Sequence, residues 1–402
     1  SYPALLLSAF RPVEALKGAW QGHLSGARVR NLLVLFQVAV SVALVTGTFV
    51  VFQQLEFMHH RKLGFEPEHL VTLGLFMANP ALRESDTEAL KQEFLLHPGV
   101  LGASAVFGWP NGLPDTRIYP VHAEEVEGSM QMHYLGGDRD LLSTYRMELV
   151  AGRIPDDGLG DNFLVNETAV TLLGWKDPIG RAMDIDTEDQ PGIRSGVIVG
   201  VVRDFHFQSL HEQIKPLLVG RPPILSSLMV RIDGSRVPET LSFLEAKWKQ
   251  MVPVQDFGYR FQDQALARLY RSEERVGHIA ILFATFAIVI AGLGLFGLAS
   301  FAAERRRGEI GIRKALGDSA LDILVRQGQE LGKLVALGTL LGWPLAHLGM
   351  TDWLHNFAYR IDLGPGLFLV SGALAAVLTV IATGHQALKA SRANPAQILR
   401  AE

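Results

Sequence analysis

The chain has 402 residues, a formal net charge of −4 and no cysteine. That balance gives no electrostatic footprint for nucleic acid. The missing cysteines exclude a disulfide scaffold, a thiolate zinc site and a thiol nucleophile. A hydrophobic content of 48% is ordinary for a soluble protein, so any membrane character must come from how apolar residues are distributed.

In chain order, residues 1–18 carry a pattern that returns at the other end. Ser8, Pro12, Leu16 and Lys17 match Ser391, Pro395, Leu399 and Arg400 in spacing, which marks 1–18 as the tail of a preceding repeat. Residues 19–30 form a short amphipathic segment ending in the basic pair Arg28 and Arg30. A first spanning helix is expected over 31–55, and its amphipathic end, Gln53–Arg61, reads as a stalk leaving the bilayer.

Residues 56–270 have the composition of a folded soluble domain. Strands are expected over His69–Met77, Gly196–Val202 and Ser227–Asp233. Helices are expected over Ser85–His97, Pro238–Met251 and Asn166–Gly174, the last with Asn166 as its cap. Strands and helices without strict alternation predict an α+β domain. A charged helix, Gln264–Arg275, should run straight into the second span, 271–303. Val276–Phe301 holds no Asp, Glu, Lys or Arg and is long enough to cross a hydrocarbon core of roughly 30 Å.

A basic segment, 304–318, then separates that span from a third, 319–350. An outer loop, 351–366, carries Trp353, Phe357 and Tyr359 as expected interfacial aromatics. A fourth span, 367–388, leads into a tail, 389–402. Arg305–Arg307, Arg313 and Lys314 place their turn on the cytoplasmic side, because positively charged short loops resist export. Both termini are then cytoplasmic and the α+β domain lies outside.

The basic segment is patterned. Ile312, Leu316, Ala320 and Ile323 recur at three- and four-residue steps and make one apolar helical stripe. Gly317 is placed to end a short helix, and Asp318 and Ser319 to cap the next, with Asp322 as a capping-box partner. As a sequence, Glu304-Arg-Arg-Arg-Gly-Glu-Ile-Gly-Ile-Arg-Lys-Ala-Leu-Gly-Asp-Ser319 resembles the signature of the MacB/FtsX-type ABC transporter permeases. The likeness extends to Asp138-Arg-Asp-Leu-Leu, Ala151-Gly-Arg153, Val165-Asn-Glu-Thr168 and Gly200-Val-Val-Arg-Asp-Phe-His-Phe207.

The resemblance implies that this segment is a coupling helix docked on a separate cytoplasmic ABC ATPase dimer. Glu309, Arg313 and Lys314 would make its polar contacts, and Ile310, Ile312 and Leu316 would enter an apolar pocket. Gly311, Ala315 and Gly317 belong to the same helix. It further implies a periplasmic domain with a ferredoxin-like porter part and an inserted subdomain, set in a bacterial inner membrane. The chain would be the C-terminal half of a tandemly duplicated permease, paired with an upstream repeat or a second copy. ATP and magnesium would be bound by the ATPase, with no cofactor in this chain. The function expected is mechanical export or extraction of a periplasmic or membrane substrate that the sequence does not identify. The alternative is an FtsX-like scaffold controlling a cell-envelope hydrolase.

Other motifs resolve against chemistry. Gly292, Gly294 and Gly297 match G-x-G-x-x-G, but they sit inside an apolar run where small residues serve helix packing rather than a pyrophosphate. His59/His60 and His206/His211 lack the carboxylate spacing of a metal site. Asp204-Phe-His206 is expected to close a loop after its strand. Neither a phosphate loop nor a nucleophile elbow is present, so no enzymatic activity is assigned to this chain. Lys333 and His347 read as interfacial residues of the third span.

Overall fold

The computed structural model describes residues 23–75, 84–154, 159, 161–186, 193–222, 224–253, 255–305 and 320–392. Residues 1–18 and most of the C-terminal tail, the two ends of the repeat, lie outside them. The first half of the chain gives α1 (His23–His60), β1 (Leu70–Gly74), α2 (Glu84–Leu95), β2 (Val100–Val106), β3 (Arg117–Ala123), β4 (Met130–Gly136), α3 (Leu141–Tyr145), β5 (Leu149–Gly152), β6 (Phe163–Asn166), α4 (Glu167–Leu173) and β7 (Ala182–Asp186). The second half gives β8 (Ile193–Val202), β9 (Leu217–Gly220), β10 (Ser227–Ile232), α5 (Val237–Met251), β11 (Tyr259–Phe261), α6 (Gln262–Leu269), α7 (Arg271–Arg305), α8 (Ala320–Leu354) and α9 (Pro365–Arg392).

The chain divides into two compact units. One comprises Ser1–Glu56, Arg275–His355 and Ile361–Glu402, and the other Phe57–Glu274 with Asn356–Arg360.

Among the described residues, four helices, α1, α7, α8 and α9, are long and apolar enough to cross a membrane, and their apolar stretches lie in the first unit. Half of the most apolar window of α1 is buried, against 17–28% for the other three, so α1 is the inner helix of the bundle. Val34, Val38 and Val42 of α1 meet Leu295, Leu298, Val335 and Ala375 in one apolar cluster. Close approach is set by Gly338 and Gly342 of α8, a small-xxx-small pair. A Cβ on Gly342 would lie 2.6 Å from the Ala39 carbonyl oxygen, and one on Gly338 would lie 2.7 Å from Val38 Cγ1. Thr46 Oγ1 is in hydrogen-bond contact with Val42 O and Ser371 Oγ, each at 2.8 Å, which settles a hydroxyl that hydrocarbon would penalise.

In the second unit, a four-stranded antiparallel sheet has the order β11-β1-β10-β2. Its chain order is β1-α2-β2, then β10-α5-β11, with β3 to β9 inserted between the halves. This is the split βαβ arrangement of a ferredoxin-like fold carrying an insertion. Period-two alternation assigns the two faces. Val71, Leu73, Leu228 and Val230 pack under α2 and α5 with Phe94 and Trp248. Leu70 and Met229 face the opposite way, against Leu135, Leu164, Val202 and Val219 of the inserted sheet.

The inserted sheet runs β5-β8-β6-β9-β4-β3-β7, and β7 pairs again with the first half of β8. The six strands β8, β6, β9, β4, β3 and β7 therefore close into a ring around Met132, Phe163, Met183 and Ile198. Closure removes the open edges a flat sheet would expose. The ten-residue length of β8 makes it possible, since one half pairs β7 and the other pairs β5 and β6.

The expected strand Ser227–Asp233 forms over Ser227–Ile232, and the helix Pro238–Met251 over Val237–Met251. Gln264–Arg275 is not a single helix, because it breaks at Tyr270 between α6 and α7. Tyr270 is buried and its hydroxyl accepts the Leu210 N–H at 3.4 Å. That contact anchors the residue to the domain, and its backbone leaves the helical path.

Candidate functional site

Glu309, Ile310, Gly311, Ile312, Arg313, Lys314, Ala315, Leu316 and Gly317 lie outside the described residues, as do the caps Asp318 and Ser319. Of the three span glycines, Gly294 abuts α1, where a Cβ would meet Gln37 Oε1 at 2.2 Å. Gly292 and Gly297 face open space. The close-packing signal that sequence reading passed over is Gly338 and Gly342 of α8.

The sequence motifs of the α+β domain are hydrogen-bonded locks. Asn166 caps α4 by accepting the Ala169 N–H, and the same oxygen takes Leu217 N–H at 2.9 Å while its amide donates to Lys215 O. Thr168 donates to Asp204 through its N–H at 3.0 Å and its hydroxyl at 2.7 Å, and Glu167 returns the bond by accepting Asp204 N–H. Two motifs 36 residues apart thus interlock. Gly152 has φ +80°, and a Cβ there would sit 2.1 Å from Val199 O, so only glycine fits.

Asp138 is a second lock. Its carboxylate accepts from Ser104 Oγ, Ala105 N, Asp140 N and the buried Lys91 ammonium. Lys91 also reaches Asp140 at 2.9 Å and Glu88 at 2.8 Å. Burial alone would lower the lysine's pKa, but the charge of Asp138 and the hydrogen bonds from its carboxylate partners outweigh that and raise it.

Residues 356–360 of the connector between α8 and α9 belong to the α+β unit. Phe357, expected to anchor in the bilayer interface, is instead buried and stacked on His211 at 4.3 Å between ring centres. The His211 imidazole bridges Asn356 O at 3.0 Å and Glu273 Oε1 at 3.1 Å, and its carbonyl accepts Ala358 N–H. Tyr359 accepts the Ile214 N–H, lies edge-on to His206 at 4.8 Å and receives the Arg61 guanidinium over its face at 4.3 Å. Aromatic rings that the domain can bury and hydrogen-bond gain more there than at an interface. Burial, and then the positive charge of Arg61, holds His206 down at about 4 against the opposing pull of Asp204, so its ring is neutral at physiological pH.

The clasp therefore gathers four pieces of chain: the end of α1, the loop 204–214, the start of α7 and the connector 356–360. Asp204 is engaged with Thr168 and His206 with Tyr359, and no group of three metal-ligating side chains occurs among the described residues.

Among the described residues, four membrane-length helices with a folded α+β domain between the first two have the layout of a polytopic membrane protein. Residues 281–395 match the family described as FtsX-like permease C-terminal, a stretch that brackets the basic segment. Two macrolide export ATP-binding/permease proteins, both MacB, are similar. The one from Rhodospirillum rubrum is 28% identical over 180 residues, which is 44% of this chain and 27% of the relative. The one from Bdellovibrio bacteriovorus is 24% identical over 248 residues, 58% of this chain and 37% of the relative. The chain thus spans well under half the length of either relative.

Two solved structures are also similar at 14% identity. The periplasmic region of MacB from Actinobacillus actinomycetemcomitans aligns with TM-score 0.36, over 51% of this chain and 94% of that one. The extracellular domain of the noncanonic ABC-type transporter YknZ from Gram-positive bacteria aligns with TM-score 0.34, over 48% and 98%. Over these stretches the chain is similar to permeases of the MacB/FtsX type.

Proposed function

We propose that this permease transmits ATP-driven motion of a separate cytoplasmic ABC ATPase dimer to its α+β domain, which acts on a periplasmic or membrane substrate. The basic segment between α7 and α8 is the coupling helix. Glu309, Arg313 and Lys314 make its polar contacts, and Ile310, Ile312 and Leu316 its apolar ones. The bilayer is the bacterial inner membrane, with both termini cytoplasmic and the α+β domain periplasmic. ATP and magnesium belong to the ATPase, and a second permease half completes the assembly.

The observation that carries this reading is the clasp. Three chain connections enter the soluble unit from the spanning helices, through α1, α7 and the 356–360 connector, and His211 touches two of them. A displacement of the spans thereby has several points of purchase on the domain.

The test uses the permease reconstituted in lipid nanodiscs with its ATPase. Ile312→Asp or Leu316→Asp should abolish the permease's stimulation of ATP hydrolysis while membrane insertion is unchanged. His211→Ala should keep that stimulation but weaken the ATP-dependent change seen by probes on the α+β domain. Unchanged stimulation in both coupling variants would overturn the reading. An envelope hydrolase retained on the purified complex, without cargo, would favour the scaffold role instead.

A further inference from the structure

Both ring nitrogens of His211 meet acceptors. Nδ1 lies 3.0 Å from the carbonyl oxygen of Asn356, which has no proton to give, and Nε2 lies 3.1 Å from Glu273 Oε1. The other carboxylate oxygen, Glu273 Oε2, accepts the Ser272 hydroxyl at 2.7 Å. His211, Ser272, Glu273 and Asn356 all belong to the α+β unit. A neutral imidazole carries one N–H and one bare nitrogen. In either tautomer that bare nitrogen would face an oxygen lone pair across one of these two contacts. Only the doubly protonated ring donates to both. The shared proton belongs to the ring, because an imidazole holds it more tightly than a carboxylate does. Phe357 is stacked on the same ring, with 4.3 Å between centres and 27° between planes, and an aromatic face favours a cation.

The other charges near the ring are engaged elsewhere or exposed. On α7, Glu274 lies 3.8 Å from His59, and Arg271 is exposed. Tyr270, just before α7, accepts the Leu210 N–H. Within the loop of His211 itself, Glu212 pairs with Lys215, Asp204 is held by Thr168 and His206 meets Tyr359. From the end of α1, Arg61 lies over Tyr359, and on the connector Arg360 is exposed. Glu273 is thus the charge to which the imidazole is bonded.

We propose that His211 is a proton-operated latch, in which the imidazolium ties the connector 356–360 and the start of α7 to the loop 204–214 and loss of its proton releases one of the two. The hold is complete while the ring is charged and weakens as rising pH removes the proton. Ala358 N–H, bonded to the His211 carbonyl at 3.2 Å, sits beside the latch and reports its state. The latch needs only contacts within the α+β unit and does not depend on the coupling mechanism above. The pH of the solution around that unit thereby sets how firmly the connector is held.

The experiment uses the full chain in detergent, at about pH 5.5 and about pH 8.5, which bracket the ordinary histidine titration near 6.5. The lower value stays above the one near 4 at which His206 takes up its proton, so that ring is neutral throughout. Hydrogen–deuterium exchange, corrected for the intrinsic pH dependence of amide exchange, follows residues 356–360, with β10 as the reference. Protection of 356–360 should fall about tenfold at the higher pH, and that of β10 should not change. Glu273→Gln supplies an amide that can donate to a bare Nε2, so its connector should be equally protected at both pH values. His211→Ala should show the low protection at both. Nitrogen-15 NMR of the unmodified chain keeps the test decisive if a variant disturbs the fold: the His211 ring should carry two protons at pH 5.5 and one at pH 8.5. A connector equally protected at both values in the unmodified chain, a neutral His211 ring at pH 5.5, or a Glu273→Gln variant that keeps the full pH dependence would overturn the proposal.

Discussion

Replacing Asp138 by Asn keeps its shape and reverses its hydrogen-bonding sense. Every partner of the carboxylate is a donor: Ser104 Oγ, Ala105 N, Asp140 N and Lys91 Nζ. The asparagine amide would bring two N–H groups to a carboxylate position ringed by donors, and it would remove the most buried counter-charge of a lysine whose side chain is 1% exposed. Breaking a buried pair on one side costs roughly 3–5 kcal/mol. Glu88 and Asp140 still reach Lys91, but their side chains are 48% and 36% exposed, so solvent screens most of what they return. The expected loss is therefore about 3 kcal/mol, a fall in melting temperature of roughly 6–12 °C for a domain of this size. Lys91 lies on α2 beside Leu90 and Phe94, which pack in the same core as Trp248. Thermal unfolding followed by intrinsic fluorescence should report the shift. Lys91→Met should be milder, since Asp138 keeps three backbone and hydroxyl donors. If Asp138→Asn melts within 1 °C of the parent, the Lys91–Asp138 lock is not what holds α2 and β2 to the inserted subdomain.

Three further outcomes are expected. His206 takes up its proton near 6.5 when unfolded and near 4 when folded, so stability is complete above 6.5 and is lost as pH falls from there to about 4. That loss amounts to about 3 kcal/mol, and His206→Gln should flatten the melting temperature over the same interval. Gly152→Ala places a Cβ against Val199 O in a left-handed backbone and should cost about 2 kcal/mol or more, whereas Gly174→Ala, with φ +68° and open space around it, should lose about 1 kcal/mol by chemical denaturation. In α8, Gly342→Leu should separate α1 from α8 and abolish oxidative cross-linking of cysteines placed at Val38 and Val335, in a chain with no native cysteine. Gly292→Ala, facing open space, should leave that cross-link intact.

Two features were hidden from the sequence by a shared cause. Phe357 and Tyr359 read as interface anchors because aromatic residues beside a span usually are, and their burial depends on His211 and His206, more than 140 residues away. The stop at Tyr270 was invisible for the same reason, since Gln264–Arg275 has ordinary helical composition and its break follows from a hydroxyl reaching Leu210. Gly338 and Gly342 are a small-xxx-small pair in the sequence, but only the tertiary structure shows that they meet α1 while Gly292 and Gly297 of the G-x-G-x-x-G run face open space.

Local physics was enough for the rest of the architecture. Charge-poor runs of membrane length, alternating strands, the Asn166 cap and the glycine at 174 each state their role within a few residues, and four membrane-length helices around an α+β domain follow from them. Tertiary structure alone decided which strands become neighbours: the ferredoxin-like order, the ring closed by β7 on β8, and the clasp that takes the 356–360 connector into the soluble unit. Those outcomes depend on contacts between residues far apart in the chain, where burial and hydrogen-bond satisfaction override what each segment prefers by itself.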